Sequence, residues 1–241
     1  MITVCCPTRG RPAQMRRLCE SIIKTALDPG QVEVVFYIDD DDDGSIEEYT
    51  NLNINMNDTI QAVIGPRICL SQTWNECYKA GQGLIYMVCA DDIVFESKNW
   101  DKLVIDAFDK CEDKILLVYG KDGGKNERLS THPFLHKNWI ETAGFFTPPY
   151  FEFCMCDTWL FTIASQLNRT VFVPEIYTAH WNCTNKSYTS GVPDKTWTDM
   201  QARGATQDYR GVYHKKGAER EEIYRKLQAF IDDFKSKNSI D

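Results

Sequence analysis

The sequence lacks any run of about 18 uncharged apolar residues, the length a helix needs to cross a bilayer, so no membrane-spanning helix is expected. It also lacks a CxxC pair, although it has 10 cysteines. Cys5-Cys6 and Cys154-Met155-Cys156 are too tightly spaced for an ordinary zinc site. Cys5, Cys89 and Cys154 sit in apolar runs, where a free thiol acts as a small hydrophobe. Positive charge is in deficit: 27 Lys and Arg stand against 35 Asp and Glu, a net charge of -8. That argues against broad electrostatic binding to nucleic acid or anionic membrane. A local basic lip from Lys121, Lys125, Arg128 and Lys137 stays open. The start of the chain carries no charged region followed by an apolar leader. The expectation is therefore a soluble, cytoplasmic protein in a reducing compartment. On that expectation the glycan-acceptor patterns at Asn168, Asn182 and Asn185 are chance matches. There is no internal repeat and no clear linker. With 43% hydrophobic and 12% aromatic residues, the 241 residues read as one domain with a sizeable core.

What is present is organised around residues 84–96. Leu84 to Val88 reads as a buried strand. It stops at Asp91 and Asp92, and an apolar stretch resumes at Ile93. Two acids in an apolar setting are costly to bury without a positive partner. A divalent cation is the cheapest such partner, since carboxylate oxygens suit Mg²⁺ and Mn²⁺. The reading is that this strand end holds a metal ion and the metal holds a diphosphate. The plain alternative is a surface turn with two solvated aspartates.

Strand and helix signals alternate before that point. Ile2 to Cys6, Val32 to Ile38 and Ile60 to Ile64 read as strands. Met15, Leu18, Ile22 and Ile23 recur at helical spacing, Ile46 to Leu52 is a short helix, and Ser71 can cap a helix through about Ala80. Near-continuously apolar strands separated by helices predict a parallel sheet covered on both faces. Right-handed crossovers then bring every strand's C-terminal end to one edge. Pro7-Thr8-Arg9, Asp39-Asp40 and Asp91-Asp92 all lie at such ends, where open α/β sheets bind ligands.

Further on, Trp100 to Cys111 reads as a helix, Ile115 to Tyr119 as a strand and His132 to His136 as an edge strand. Asp157 opens another helix. Val171 to Val173 and Ile176 to Trp181 read as two strands leading into a polar loop. In the tail, Ile223, Leu227, Phe230, Ile231 and Phe234 make the apolar stripe of a surface helix.

The opening Val-Cys-Cys-Pro-Thr-Arg-Gly-Arg, the strand end Tyr37-Ile38-Asp39-Asp40 running on to Asp43-Gly44-Ser45, and Ala90-Asp91-Asp92 together resemble family 2-type glycosyltransferases of the GT-A fold. The resemblance is best over residues 1–110 and weakens towards residue 182. It implies a Rossmann-like, mixed but mainly parallel sheet flanked by helices, with a C-terminal helical tail. It also implies a nucleotide-sugar-binding half at 1–110, an acceptor-side half at 111–214 and a terminal helix at 215–241. By position, Pro7 and Thr8 would shape the loop under the nucleotide, and Arg9 or Arg11 would meet its phosphates. Asp39 or Asp40 would contact uracil or ribose, and Arg67 would lie near the base. Asp91 and Asp92 stand for the family's Asp-x-Asp metal motif, with Ala90 in the place of the first acid. Which of the two touches metal and which touches ribose stays open. His180 resembles a histidine that completes the metal site. Cys156-Asp157-Thr158-Trp159-Leu160 resembles the element that supplies the acceptor-side base, with Cys156 replacing a glutamate and Glu152 as the competing acid.

The activity implied is sugar transfer from a nucleoside-diphosphate sugar, UDP-sugar favoured, to an acceptor hydroxyl with inversion, using Mn²⁺ or Mg²⁺. For Asp157 the plain alternative is a helix N-cap. For His180 it is a satisfied histidine beside aromatics, and for Asp39 to Asp43 a solvated acidic loop. Two other functions stay open: a nucleotidyltransferase acting on sugar phosphates, and a non-catalytic nucleotide- or sugar-binding module. The first of these usually opens on a Gly-rich loop, which Pro-Thr-Arg-Gly-Arg-Pro is not. The acceptor is not readable: a glycan, protein, metabolite or modified nucleic-acid base all remain.

Overall fold

Strands β1 (Ile2–Thr8) and β2 (Val32–Asp39) are buried along nearly their whole length, as expected for the centre of a sheet covered on both sides. The computed structural model describes residues 1–55, 59–181 and 193–238. The other strands are β3 (Ile60–Gly65), β4 (Ile85–Val88), β5 (Ile93–Phe95), β6 (Leu117–Lys121), β7 (Phe134–His136) and β8 (Thr170–His180). They form one mixed sheet in the order β3-β2-β1-β4-β7-β6-β8-β5. β3, β2, β1 and β4 are mutually parallel, as are β6 and β8. β7 and β5 run antiparallel to their neighbours.

The helices are α1 (Pro12–Thr25), α2 (Asp43–Asn55), α3 (Leu70–Ala80), α4 (Trp100–Asp109), α5 (Lys137–Ala143), α6 (Cys156–Gln166), α7 (Lys195–Gly204), α8 (Tyr209–Lys215) and α9 (Gly217–Asn238). Side chains alternate across each strand. Val4, Cys6, Val34 and Phe36 therefore join a core with Met15, Leu18, Ile22 and Trp100. Cys5, Val35 and Tyr37 join a second core with Trp74, Trp139 and Trp159. The expected stripe on α9 is present: Ile223, Leu227 and Ile231 are buried, and α9 packs against α5 and α6. The nine cysteines among the described residues are free. Among the described residues no helix is long and apolar enough to cross a membrane.

Several local expectations change. The segment expected as an edge strand, β7, lies inside the sheet between β4 and β6. Its two apolar residues, Phe134 and Leu135, are fully buried, too short a signal to give away a central position. Ser71 does not cap α3. The cap position is Cys69, and the Ser71 hydroxyl instead accepts from Phe151 N at 3.2 Å, tying α3 to the aromatic segment before α6. The two strands expected around Pro174 are one, β8, with a register break against β6 between Tyr119 and Lys121. The polar loop after Trp181, with Asn182 and Asn185, lies outside the described residues.

The break explains Gly120. A Cβ there would lie 2.4 Å from Ile176 O and 2.6 Å from Ile176 Cβ, so the two strands would have to part. Gly120→Ala is expected to cost about 1–3 kcal/mol, the usual range for overpacking, read as a lower urea midpoint at unchanged slope. A midpoint equal to wild type would mean the β6–β8 contact is looser than described.

Candidate active site

Because β2, β1 and β4 are parallel neighbours, their C-terminal ends open on one edge. Thr8, Arg9, Asp39, Ala90, Asp91 and Asp92 meet there, at the wall of a cavity of about 350 Å³. Pro7, Arg11, Arg67, Glu152, Asp157 and His180 line the same cavity. The expected site residues are thus brought together, with the exception of Asp40.

Asp91 and Asp92 are only 4% and 8% exposed, which rules out a solvated surface turn. Their compensation comes largely from Arg11, the cap residue just before α1. Arg11 Nη1 donates to Asp91 Oδ1 at 2.7 Å and lies 3.8 Å from Asp92 Oδ2. Thr8 Oγ1 donates to the other Asp91 oxygen at 2.9 Å. Burial pushes the Asp91 carboxyl up, and Arg11 only partly opposes it. For Asp92 burial also pushes upward, but His180 and Arg11 outweigh it and hold the carboxyl below its ordinary range.

Asp92 Oδ1 is buried without a hydrogen bond, yet His180 Nε2 lies 3.1 Å away. Two donors at that separation suit a small divalent cation, whose adjacent ligands at 2.0–2.1 Å bonds are about 3 Å apart. Among the described residues no three His, Cys, Asp or Glu side chains converge on one point. Hard cations of this kind take one or two protein groups and fill the rest of the shell with water and substrate phosphate. A carboxylate and an imidazole therefore fit two of the six positions of such a shell.

The aspartate run sorts itself by geometry. Asp39 is buried, accepts from Arg9 Nη1 at 2.7 Å and lies 3.8 Å from Arg67 Nε. Burial raises its carboxyl, opposed by Arg9. Asp40 is exposed; its N–H donates to Gly65 O at 2.8 Å and it does not line the cavity. Asp41 accepts from Arg9 Nη2 at 2.8 Å. Asp42 accepts from Gly10 N at 2.6 Å and from Ser45 N at 3.2 Å, which fastens the β1–α1 turn to the start of α2. Gly10 holds that turn at φ +63°, a left-handed conformation that favours glycine. Asp43 opens α2.

Asp157, which also lines the cavity, is the second residue of α6 rather than its cap, which is Met155 at φ 84°. Asp157 Oδ1 accepts from Thr158 N at 2.6 Å. Burial pushes its carboxyl up. Glu152 pairs with Arg203 Nη2 at 2.8 Å. Of the basic residues considered as a lip, Lys121, Lys125, Arg128 and Lys137 do not line the cavity.

Sequence reasoning missed α7 and His132. Thr196, Trp197, Met200 and Arg203 line the cavity, and Asp194 caps α7 by accepting from Trp197 N at 2.7 Å. The signal was present: an aspartate three residues before Trp197, with Met200 and Arg203 following at intervals of three. His132 is buried edge-on against His180, with ring centroids 5.0 Å apart. Burial pushes its imidazole down to about 4, so it stays neutral.

No protein-family model and no curated protein sequence matches the chain. Solved structures do. The mannosyltransferase PcManGT from Pyrobaculum calidifontis, in complex with GDP-Man and Mn²⁺, superposes with a TM-score of 0.65 at 12% identity, over 95% of this chain and 73% of that one. TarS of S. aureus superposes with a TM-score of 0.59 at 14% identity, over 74% of this chain and 36% of that one. Its 1-349 fragment with UDP-GlcNAc gives 0.57 at 14% identity, over 74% of this chain and 58% of that one. At such identities the likeness speaks to fold, and it agrees with the strand order and the helical layers described above. The chain therefore has a GT-A-type glycosyltransferase fold.

Proposed function

We propose that this chain is a metal-dependent glycosyltransferase that moves a sugar from a nucleoside-diphosphate sugar, UDP-sugar favoured, to an acceptor hydroxyl with inversion. One observation carries the reading. Arginines for a diphosphate (Arg9, Arg11), two ligand groups for a cation (Asp92, His180) and a separate carboxylate (Asp157) line a single cavity. The complexes of PcManGT with GDP-Man and Mn²⁺ and of TarS with UDP-GlcNAc support a nucleotide-sugar and a divalent cation.

Asp92 and His180 would hold the cation, which when bound supplies Lewis-acid stabilisation to a diphosphate. Arg9 and Arg11 bind the diphosphate oxygens and stabilise the charge that grows as the bond to the anomeric carbon breaks. Asp39, held by Arg9, faces the nucleoside. The acceptor oxygen attacks the anomeric carbon from the side opposite the diphosphate and its proton passes to Asp157, a general base whose raised affinity for protons suits the task. Glu152, already tied to Arg203, positions the wall beside it. The nine free cysteines accord with a reducing compartment.

The reading is tested by calorimetry of UDP-, GDP- and other nucleotide-sugars with Mn²⁺, then by transfer to candidate acceptors. Saturable binding of one donor with Mn²⁺, and an inverted anomeric configuration by NMR, are expected. Turnover of sugar 1-phosphate with a nucleoside triphosphate would make the chain a nucleotidyltransferase; binding without donor cleavage would make it a binding module. Asp157→Asn should lower the transfer rate by about 10²-fold or more while leaving donor affinity alone. Wild-type transfer in that variant would move the base elsewhere.

A further inference from the structure

Arg11 presents two hydrogen-bonding edges. Nη1 faces the acids after β4, 2.7 Å from Asp91. The Nε–Nη2 edge is taken by Asp194, whose two oxygens accept at 2.8 and 2.9 Å. That parallel two-bond grip is the one by which a guanidinium also holds phosphate. The Arg11 side chain is 9% exposed and that of Asp194 42%. The carboxylate is thus the more exposed partner of the pair, while Arg11 itself lines the cavity.

The same contact fastens α7 to the site. Thr196 Oγ1 donates to Arg9 O at 2.7 Å, next to the Gly10 turn, and Arg203 at the other end of the helix pairs with Glu152. Between these ends Trp197 and Met200 form part of the cavity wall. Arg11 thus has one edge committed to Asp91 and one edge lent to a carboxylate.

We infer that Asp194 is an internal stand-in for the donor's diphosphate: it holds the Nε–Nη2 edge of Arg11 when the cavity is empty and yields it to phosphate, and so sets the affinity for the donor. The inference rests on the reading of the cavity as a nucleotide-sugar site and names a residue that tunes it. A diphosphate carries more charge than one carboxylate and can use both its bridging partners, Arg9 and Arg11. A carboxylate that stays in place repels it.

Asp194→Asn separates this from a capping role, because asparagine and aspartate cap helices about equally well while the amide lacks the charge and the second acceptor. Asp194→Ser, also a good cap, serves as the second variant. Calorimetry with UDP and with inorganic pyrophosphate is expected to show both variants binding on the order of fivefold tighter than wild type, the scale of one partly exposed ion pair. In the wild type, pyrophosphate should speed amide exchange over residues 195–200 as the contact is given up. Unchanged or weaker pyrophosphate binding in both variants overturns the inference, as does protection of those amides. Tighter pyrophosphate binding in the variants, with no nucleoside diphosphate bound by any of the proteins, would support the exchange at Arg11 and sink the donor reading instead.

Discussion

Asp92→Asn should reduce the sugar-transfer rate by about 10³-fold, the loss seen when one preorganised electrostatic partner of the transition state is removed. The substitution keeps the shape of the side chain and deletes its charge. Asp92 Oδ1 is buried, lacks a hydrogen bond and faces His180 Nε2 at 3.1 Å. A neutral amide there weakens the pair of groups that would hold a divalent cation. Mn²⁺ binding in the presence of UDP, followed by electron paramagnetic resonance, should fall in parallel with the rate. Asp91→Asn provides the contrast. Both Asp91 oxygens are already spoken for, one by Thr8 and one by Arg11, so its variant should keep Mn²⁺ binding better than Asp92→Asn does. A transfer rate for Asp92→Asn within tenfold of wild type would mean that this carboxylate does not hold the cation.

The contrast between the two acids also marks what sequence could and could not tell. Two adjacent aspartates after an apolar run signalled a charge to be compensated, and in the structure both are buried. The compensating group was not legible. A cation was the cheapest partner on paper, but Arg11 lies 80 positions upstream of Asp91 and reaches it only because β1 and β4 are parallel neighbours. Long-range register of that kind is invisible to local pattern. That the first four strands run parallel was legible for the opposite reason: near-continuous apolar strands and intervening amphipathic helices are local signals, while their order β3-β2-β1-β4 came only from the fold. β5 was not, because a strand of three residues carries too little pattern to separate from loop, and β7, read as an edge strand, carried no sign of its place between β4 and β6.

The aspartate run shows the same limit at finer scale. Five like residues in a row have the same chemistry, and only the geometry of the turn distributes them. Asp39 ends β2 facing the cavity, Asp40 alternates away from it, and Asp41 and Asp42 secure Arg9 and Gly10. The period-2 alternation of a strand explains why neighbours part company. The α7 wall was missed for a different reason. The segment follows a polar loop and was given no helix, and its role comes from contacts made by Asp194, Thr196 and Arg203 to residues more than fifty positions away.

Arg11→Met should cost about 3–5 kcal/mol of folding stability, the range for removing one partner of a buried ion pair. Arg11 and Asp91 are 8% and 4% exposed, and Asp91 would keep only the Thr8 hydroxyl. Methionine matches much of the aliphatic stem, so the loss comes from charge rather than from a void. The surviving carboxylate must then either stay ionised in a poor dielectric or take up a proton, and burial already drives it towards the second course. Urea denaturation of Arg11→Met, Asp91→Asn and the double variant tests this as a cycle. The double variant should recover part of the loss, with a coupling of about 0.5–3 kcal/mol, because a neutral amide at position 91 no longer needs a cation. Pyrophosphate affinity separates the two duties of the arginine: it should fall in Arg11→Met and stay low in the double variant, since stability is restored without restoring a guanidinium to the cavity. A single variant as stable as wild type would show that water or the divalent cation, and not Arg11, compensates the acids after β4, and the anion-binding role of this residue would lose its structural basis as well.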